Sequence, residues 1–147
     1  IDQNNYPAYR ELFAIIFTDF HLFDKLYGLS NIDEKQVKTL LHLMQLDQKT
    51  KYQEGEFTQL DLSTGQKKRL AFVTAILENK PIYMFDELAA DQDPQFRQYF
   101  YEVILPDLKQ QGKTIIAVTH DDKYFQVADR VLKMEEGQLV HYDEGKF

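Results

Sequence analysis

The chain has 147 residues, 44% of them hydrophobic, which fits one domain, or part of one, with a sizeable apolar core. Its formal net charge of −7 argues against a general nucleic-acid surface, which is normally basic, and the absence of cysteine excludes disulfides, thiol catalysis and cysteine metal sites. No apolar run reaches the length of a membrane-spanning helix, and Ile1-Asp2-Gln3-Asn4-Asn5 has no signal-peptide character; the missing initiator Met hints at a piece of a longer protein.

In chain order, Leu12 to Phe17 reads as a buried strand, followed by a loop over Asp19 to Asp24. Asp33 to Leu46 reads as an amphipathic helix with Val37, Leu40, Leu41 and Met44 on one face. Lys49 to Asp61 is polar and loop-like around Gly55. Ser63 to Glu78 is a second helix, with Leu70, Val73, Ala75, Ile76 and Leu77 as its apolar surface. The pattern then alternates. Ile82 to Phe85 is a strand, Pro94 to Gln110 a helix kinked at Pro106 and stopped by Gly112, and Thr114 to Val118 a strand rich in β-branched residues. Asp122 to Ala128 is a short helix, and Val131 to Met134 with Leu139 to Tyr142 form a hairpin turning at Glu136-Gly137. Strands alternating with helices predict an α/β fold with a mostly parallel sheet, and the strandless stretch from Asp24 to Glu78 reads as a helical insert.

Chemistry-bearing residues cluster at element ends. Ser63 and Gln66 are spaced as a capping box, in itself a structural device. Gly65 in the first turn weakens the helix but lets a ligand approach the backbone, and a helix start favours an anion such as phosphate. Lys67, Lys68 and Arg69 add positive charge there, or form a solvated helix face of which at least two are part. Ile82 to Phe85 is apolar on both faces, as in a central parallel strand, and ligands bind at the carboxyl ends of such strands. Asp86 and Glu87 stand at that end. In the functional reading Asp86 holds Mg²⁺ through water and Glu87 orients or deprotonates an attacking water; in the structural reading the two acids cap the next segment.

His120 ends the strand after Thr119, where it can donate to a phosphate or to the attacking water, or simply sit at the surface. His21, His42 and His141 have no spacing that points to a metal site. Gly112-Lys113-Thr114 mimics the end of a phosphate loop but lies between a helix and a strand, the wrong order, so Gly112 reads as a C-cap and Lys113 as a solvated charge. No G-x-x-x-x-G-K-[ST] loop occurs in the 147 residues.

The order of these motifs is more specific than any one of them. Leu62-Ser63-Thr64-Gly65-Gln66, then Asp86-Glu87, then Ala90-Asp91-Gln92-Asp93, then His120 resembles the signature motif, Walker B, D-loop and switch histidine of the ATP-binding cassette (ABC) ATPases. Phe17-Thr18-Asp19-Phe20 looks like the Q-loop region, with Thr18 where Gln is usual; Thr64 and Ala90 are two further departures, from the usual Gly and Ser. The segments from Ser63 to Ala71, Phe85 to Pro94 and Thr119 to Asp122 are similar to bacterial exporters of cyclic peptide, microcin and siderophore-type products.

The resemblance implies a partial P-loop NTPase fold covering residues 1–147. Residues 24–79 would be the helical subdomain with the signature helix, and residues 1–23 and 80–147 part of the RecA-like core. It implies ATP and Mg²⁺ as cofactors, with Glu87 and His120 catalytic, Asp86 and Thr18 at the metal through water, and Ser63, Thr64, Gly65, Gln66 and Asp93 at the nucleotide. The signature residues would face ATP held by a second copy in a homodimer. The parent would act at the cytoplasmic face of the bacterial inner membrane, joined to a transmembrane domain of the same polypeptide that meets the insert near Asp24 to Asp61. Phe20, Phe23, Tyr27, Tyr52 and Phe57 are candidates for that contact, or for core. A soluble ABC-type ATPase of DNA repair or another non-transport process is the alternative. The roughly 40 residues between Thr18 and Leu62 leave no room for the long coiled-coil arm of the repair families, and the acidic balance disfavours nucleic acid. Without the phosphate loop, the 147 residues alone are expected to be inactive, and the sheet to show an exposed apolar edge.

Overall fold

A computed structural model describes residues 5–29 and 31–141. A short helix, α1 (Tyr6–Arg10), precedes strand β1 (Phe13–Ile16). Helix α2 (Glu34–Leu43) follows, then the two-residue strands β2 (Tyr52–Gln53) and β3 (Glu56–Phe57), then helix α3 (Thr64–Glu78). Strand β4 (Ile82–Asp86) leads into α4 (Pro94–Tyr99), a π-helical turn (Phe100–Ile104) and α5 (Leu105–Gln110). Strand β5 (Thr114–Val118), a 3₁₀ turn (Asp122–Val127) and the hairpin β6 (Leu132–Glu135) and β7 (Gln138–His141) complete the described residues. Tyr142, assigned to the last strand from sequence, lies outside them.

The main sheet is parallel, in the order β1-β4-β5, with Ile15, Met84 and Ile116 in one row and Ile16, Phe85 and Ala117 in the next. Its covered face carries Ala14, Ile16, Tyr83 and Phe85, all buried. Phe72 of α3 lies 5.3 Å, ring to ring, from Phe85 and 5.8 Å from Phe100 of the π turn. A second part of the core joins α2 to α3: Val37, Leu41 and Met44 are buried with Leu70 and Val73, the faces expected from helical spacing.

Asp33 caps α2 by accepting the Lys35 N–H at 2.9 Å. At Pro106 the missing N–H and the bulk of the ring disturb the ordinary helical ladder. The chain answers with the π turn just before it, in which the Leu105 N–H donates to the Phe100 carbonyl five residues back. Gly112, at φ +79°, ends the helix with its N–H on the Lys109 carbonyl at 2.9 Å. Lys113 is not a free solvated charge: its Nζ donates to Asn79 Oδ1 at 2.6 Å and lies 5.9 Å from the Tyr83 ring centre.

The stretch from Asp24 to Glu78 is not strandless. Strands β2 and β3 form a hairpin turning at Glu54 (φ +52°) and Gly55 (φ +85°), and the Lys25–Glu56 bridge ties it to the preceding loop. Two-residue strands are too short to show an alternating pattern. The hairpin also settles Tyr52 and Phe57, whose rings meet at 5.2 Å inside the core. Phe20 packs partly against the core, whereas Phe23 and Tyr27 are exposed.

Candidate functional site

The carboxyl ends of three parallel strands lie side by side, so the residues that follow them meet. Thr18, two residues past β1, donates its hydroxyl to Asp86 Oδ2 at 2.9 Å. Glu87, one past β4, places Oε1 2.9 Å from His120 Nδ1, two past β5. The Glu87 N–H also donates to the Val118 carbonyl at 3.1 Å. Neither carboxylate caps the following helix; Asp93 does that. His120 is drawn above the usual imidazole range, first by its hydrogen bond to the Glu87 carboxylate and then by that carboxylate's charge.

The donors here are oxygen atoms: one carboxylate and one hydroxyl. Among the described residues no cluster of three or more His, Cys, Asp or Glu could cage a metal ion. A single carboxylate with a hydroxyl beside it suits Mg²⁺, which keeps several waters and relies on phosphate oxygens for the rest of its shell. The residues present therefore fit the expected group.

The start of α3 forms the second part of the site. The capping box is formed: the Gln66 N–H donates to Ser63 Oγ at 3.3 Å and the Ser63 N–H to Gln66 Oε1 at 3.0 Å. Ser63 and Thr64 are exposed, Gly65 and Gln66 partly so. Gly65 has a packing reason as well as a ligand reason, since a Cβ there would stand 2.5 Å from the Asp91 carbonyl. The backbones of α3 and residues 90–93 touch at that point, and Gln92 Nε2 donates to the Gly65 carbonyl at 3.0 Å.

Of the three cations expected near the helix start, only Lys67 is an exposed charge. Lys68 is buried, with Nζ on the Glu87 carbonyl at 2.7 Å and on Asp91 Oδ2 at 2.7 Å. Arg69 donates to Gln92 Oε1 at 2.7 Å and to Asp93 Oδ2 at 2.8 Å, with its guanidinium 3.6 Å from the Phe96 ring centre. The expectation that at least two of the three form a solvated face is wrong because residues 91–93 fold back over them. Asp93 spends both oxygens within the chain: Oδ1 accepts the Phe96 N–H at 2.9 Å and Oδ2 accepts Arg69. Those contacts, the Phe96 N–H first, hold its carboxyl below the usual range.

Residues 90–93 thus lie between the helix start and the sheet edge. From the other side Arg97 donates to the carbonyls of Ala90 and Gln92 and to Asp121 Oδ1 at 3.1 Å. Tyr101 donates to Thr119 Oγ1 at 2.8 Å, and burial pushes its phenol up to about 12. Sequence reading missed Arg97 and Tyr101 as parts of the site, and it placed Lys68 and Arg69 only as charge near the helix start, not as donors to residues 87–93.

The ABC transporter family profile matches residues 1–90. The ATP-binding protein SyrD of Pseudomonas syringae pv. syringae is 52% identical over 139 residues, covering 90% of this chain and 24% of that protein. The macrolide export ATP-binding/permease protein MacB of Wolinella succinogenes is 27% identical over 148 residues, 92% of this chain and 22% of its own length. The chain thus spans about a quarter of the length of these relatives. Among solved structures, cbiO1 of Clostridium perfringens, part of the ABC transporter complex cbiONQ, matches with a TM-score of 0.70 at 25% identity, over 95% of this chain and 59% of that one. A bacterial Atm1-family ABC exporter with ATP bound matches in fold with a TM-score of 0.71 at 22% identity, over 90% of this chain and 25% of that one. The α/β fold around a parallel sheet is therefore that of the P-loop ABC ATPases, and the chain belongs to the ABC transporter family, in its ATP-binding domain.

Proposed function

We propose that the chain is part of the ATP-hydrolysing domain of a bacterial exporter of a peptide or siderophore-like product. The observation that carries this reading is the meeting of Thr18 with Asp86 and of Glu87 with His120 along one edge of the parallel sheet. The similarity to the macrolide export protein MacB supports the exporter class, and the 52% identity to SyrD supports the ATP-binding role. Residues 24–79 act as the helical subdomain, and residues 1–23 and 80–147 as part of the core.

Asp86 and Thr18 hold Mg²⁺ through water, and the ion when bound neutralises charge on the phosphate oxygens. Glu87 orients the attacking water or takes its proton. His120, held by Glu87, points a donor toward the phosphate. Ser63, Thr64, Gly65 and Gln66 face ATP carried by a second copy of the domain, and Asp93 fixes the segment that meets that copy. Closure of the pair around ATP shifts the population that drives export. The exposed Phe23 and Tyr27 meet the transmembrane domain of the same polypeptide at the cytoplasmic face of the inner membrane.

In the full-length parent, Glu87→Gln is expected to lower ATP turnover by roughly 100- to 10,000-fold while ATP still binds. Near-normal turnover would remove Glu87 from the base role. The 147-residue chain alone, which contains no G-x-x-x-x-G-K-[ST] loop, is expected to bind MgATP too weakly for a micromolar signal by calorimetry; such a signal would sink that part of the reading.

A further inference from the structure

Lys68 stands in the second turn of α3, where the sequence reads as helix surface, yet its side chain is only 3% exposed. An ammonium is costly to bury, and its partner Asp91 is 46% exposed and already well served by water. An ion pair with so exposed a partner gains little from this placement. The burial does, however, set a fixed donor against the Glu87 backbone carbonyl, at 2.7 Å.

Glu87 needs such a fixture. Its φ of +51° lies in the left-handed region, uncommon for a residue with a side chain. Its N–H is held by the Val118 carbonyl, and its own carbonyl accepts the longer Ala90 N–H bond at 3.3 Å and the shorter Lys68 bond at 2.7 Å, so the backbone is pinned to β5 on one side and to α3 on the other. The side chain that leaves this backbone meets His120 at 2.9 Å. His120 is 79% exposed, so packing around it contributes little and the geometry of the pair depends on the Glu87 backbone.

We propose that Lys68 is a positioning residue: it locks Glu87 in the left-handed conformation that aims its carboxylate at His120, and Asp91 is the charge partner that keeps the ammonium inside. The same helix begins at Ser63 and Gly65, so one side chain ties the helix start to the base. The structural part stands on geometry alone; its catalytic consequence rests on the ATPase reading.

The test reads the His120 ring titration by NMR in the unaltered chain and in Lys68→Met and Lys68→Gln. Besides Glu87, the charged groups facing His120 are Asp121 and Arg97, and neither variant touches them. The Met variant, without a donor, is expected to let the midpoint fall toward that of an ordinary imidazole. The Gln variant, with one N–H to offer the carbonyl, is expected to hold it near the unaltered value. A folded Met variant with an unchanged midpoint overturns the proposal. Should the Met variant not fold, the unaltered chain decides: Lys68 ammonium protons that exchange slowly and correlate with the Glu87 carbonyl support it, and exchange as fast as at exposed Lys67 overturns it. In the full-length parent, Lys68→Met is expected to lower kcat about tenfold with KM for ATP unchanged, and Lys68→Gln to recover most of the loss. A parent without ATPase activity would sink the catalytic reading and leave the titration result standing.

Discussion

The two faces of the three-stranded sheet are built from similar apolar residues and end in opposite surroundings. Ala14, Ile16, Tyr83 and Phe85 are buried, Phe85 against Phe72 and Phe100, whereas Ile15, Ile116 and Val118, one residue out of phase, are each more than 40% exposed. Strand composition does not distinguish them; connection geometry does. The order β1-β4-β5 advances in one direction, and right-handed crossovers in one direction lay every connecting helix on the same side. A parallel sheet is ordinarily covered on both faces, so the open face is an apolar surface available for association.

The strongest way to test this contrast is to remove an aromatic ring from the covered face. Phe72→Ala is expected to cost about 3–5 kcal/mol, a large part of the roughly 5–15 kcal/mol that holds a domain folded, and urea or thermal unfolding reads it directly. A loss under about 1 kcal/mol would mean that the face is not packed as described. Next comes the rim of the covered side, where α3 touches residues 90–93. Gly65→Ala puts a Cβ 2.5 Å from the Asp91 carbonyl, a backbone atom that has to shift. A cost of about 1–3 kcal/mol is expected, measurable in the same unfolding experiments. An unchanged midpoint would leave only the ligand-approach reason for this glycine.

On the open face the expectation reverses. Ile15→Ser with Ile116→Ser should change unfolding by no more than about 0.5 kcal/mol per site. It should also lower self-association in sedimentation at high concentration. A strictly monomeric profile for the unaltered chain would count against the open face as an association surface.

The smallest effect lies at the sheet edge. Glu87 raises the His120 pKa in the folded chain, so the pair stabilises the fold below the unfolded imidazole pKa and loses that contribution as pH rises through the folded value. Glu87→Gln should therefore destabilise more in mildly acidic solution than above the imidazole range, and His120 should titrate lower in that variant. Equal midpoints with and without the Glu87 carboxylate would break the pairing.

Much of the site was legible because strand ends are legible. An apolar run stops where Asp86 and Glu87 begin, and another stops just before Thr119 and His120, so their neighbourhood follows once the strands are parallel. Ser63 and Gln66 were legible because a capping box is local, spanning four residues. Lys68 and Arg69 were not. A helix position reads as surface or core only when its cover is known, and theirs is a loop more than twenty residues further along the chain. The Glu54-Gly55 hairpin was missed for a different reason, since two-residue strands carry no measurable period.

The residue types and their order by themselves determined the longer helices, the strands of the parallel sheet and the polar residues at its carboxyl edge, since each depends on contacts within a few residues or on the period of apolar side chains. Only the tertiary structure decided which sheet face is covered, that Lys68 is buried against the Glu87 carbonyl, and that Gly65 is pressed by the Asp91 carbonyl. Those outcomes depend on crossover handedness and on a loop folding back across a helix, and both are set by how distant segments pack.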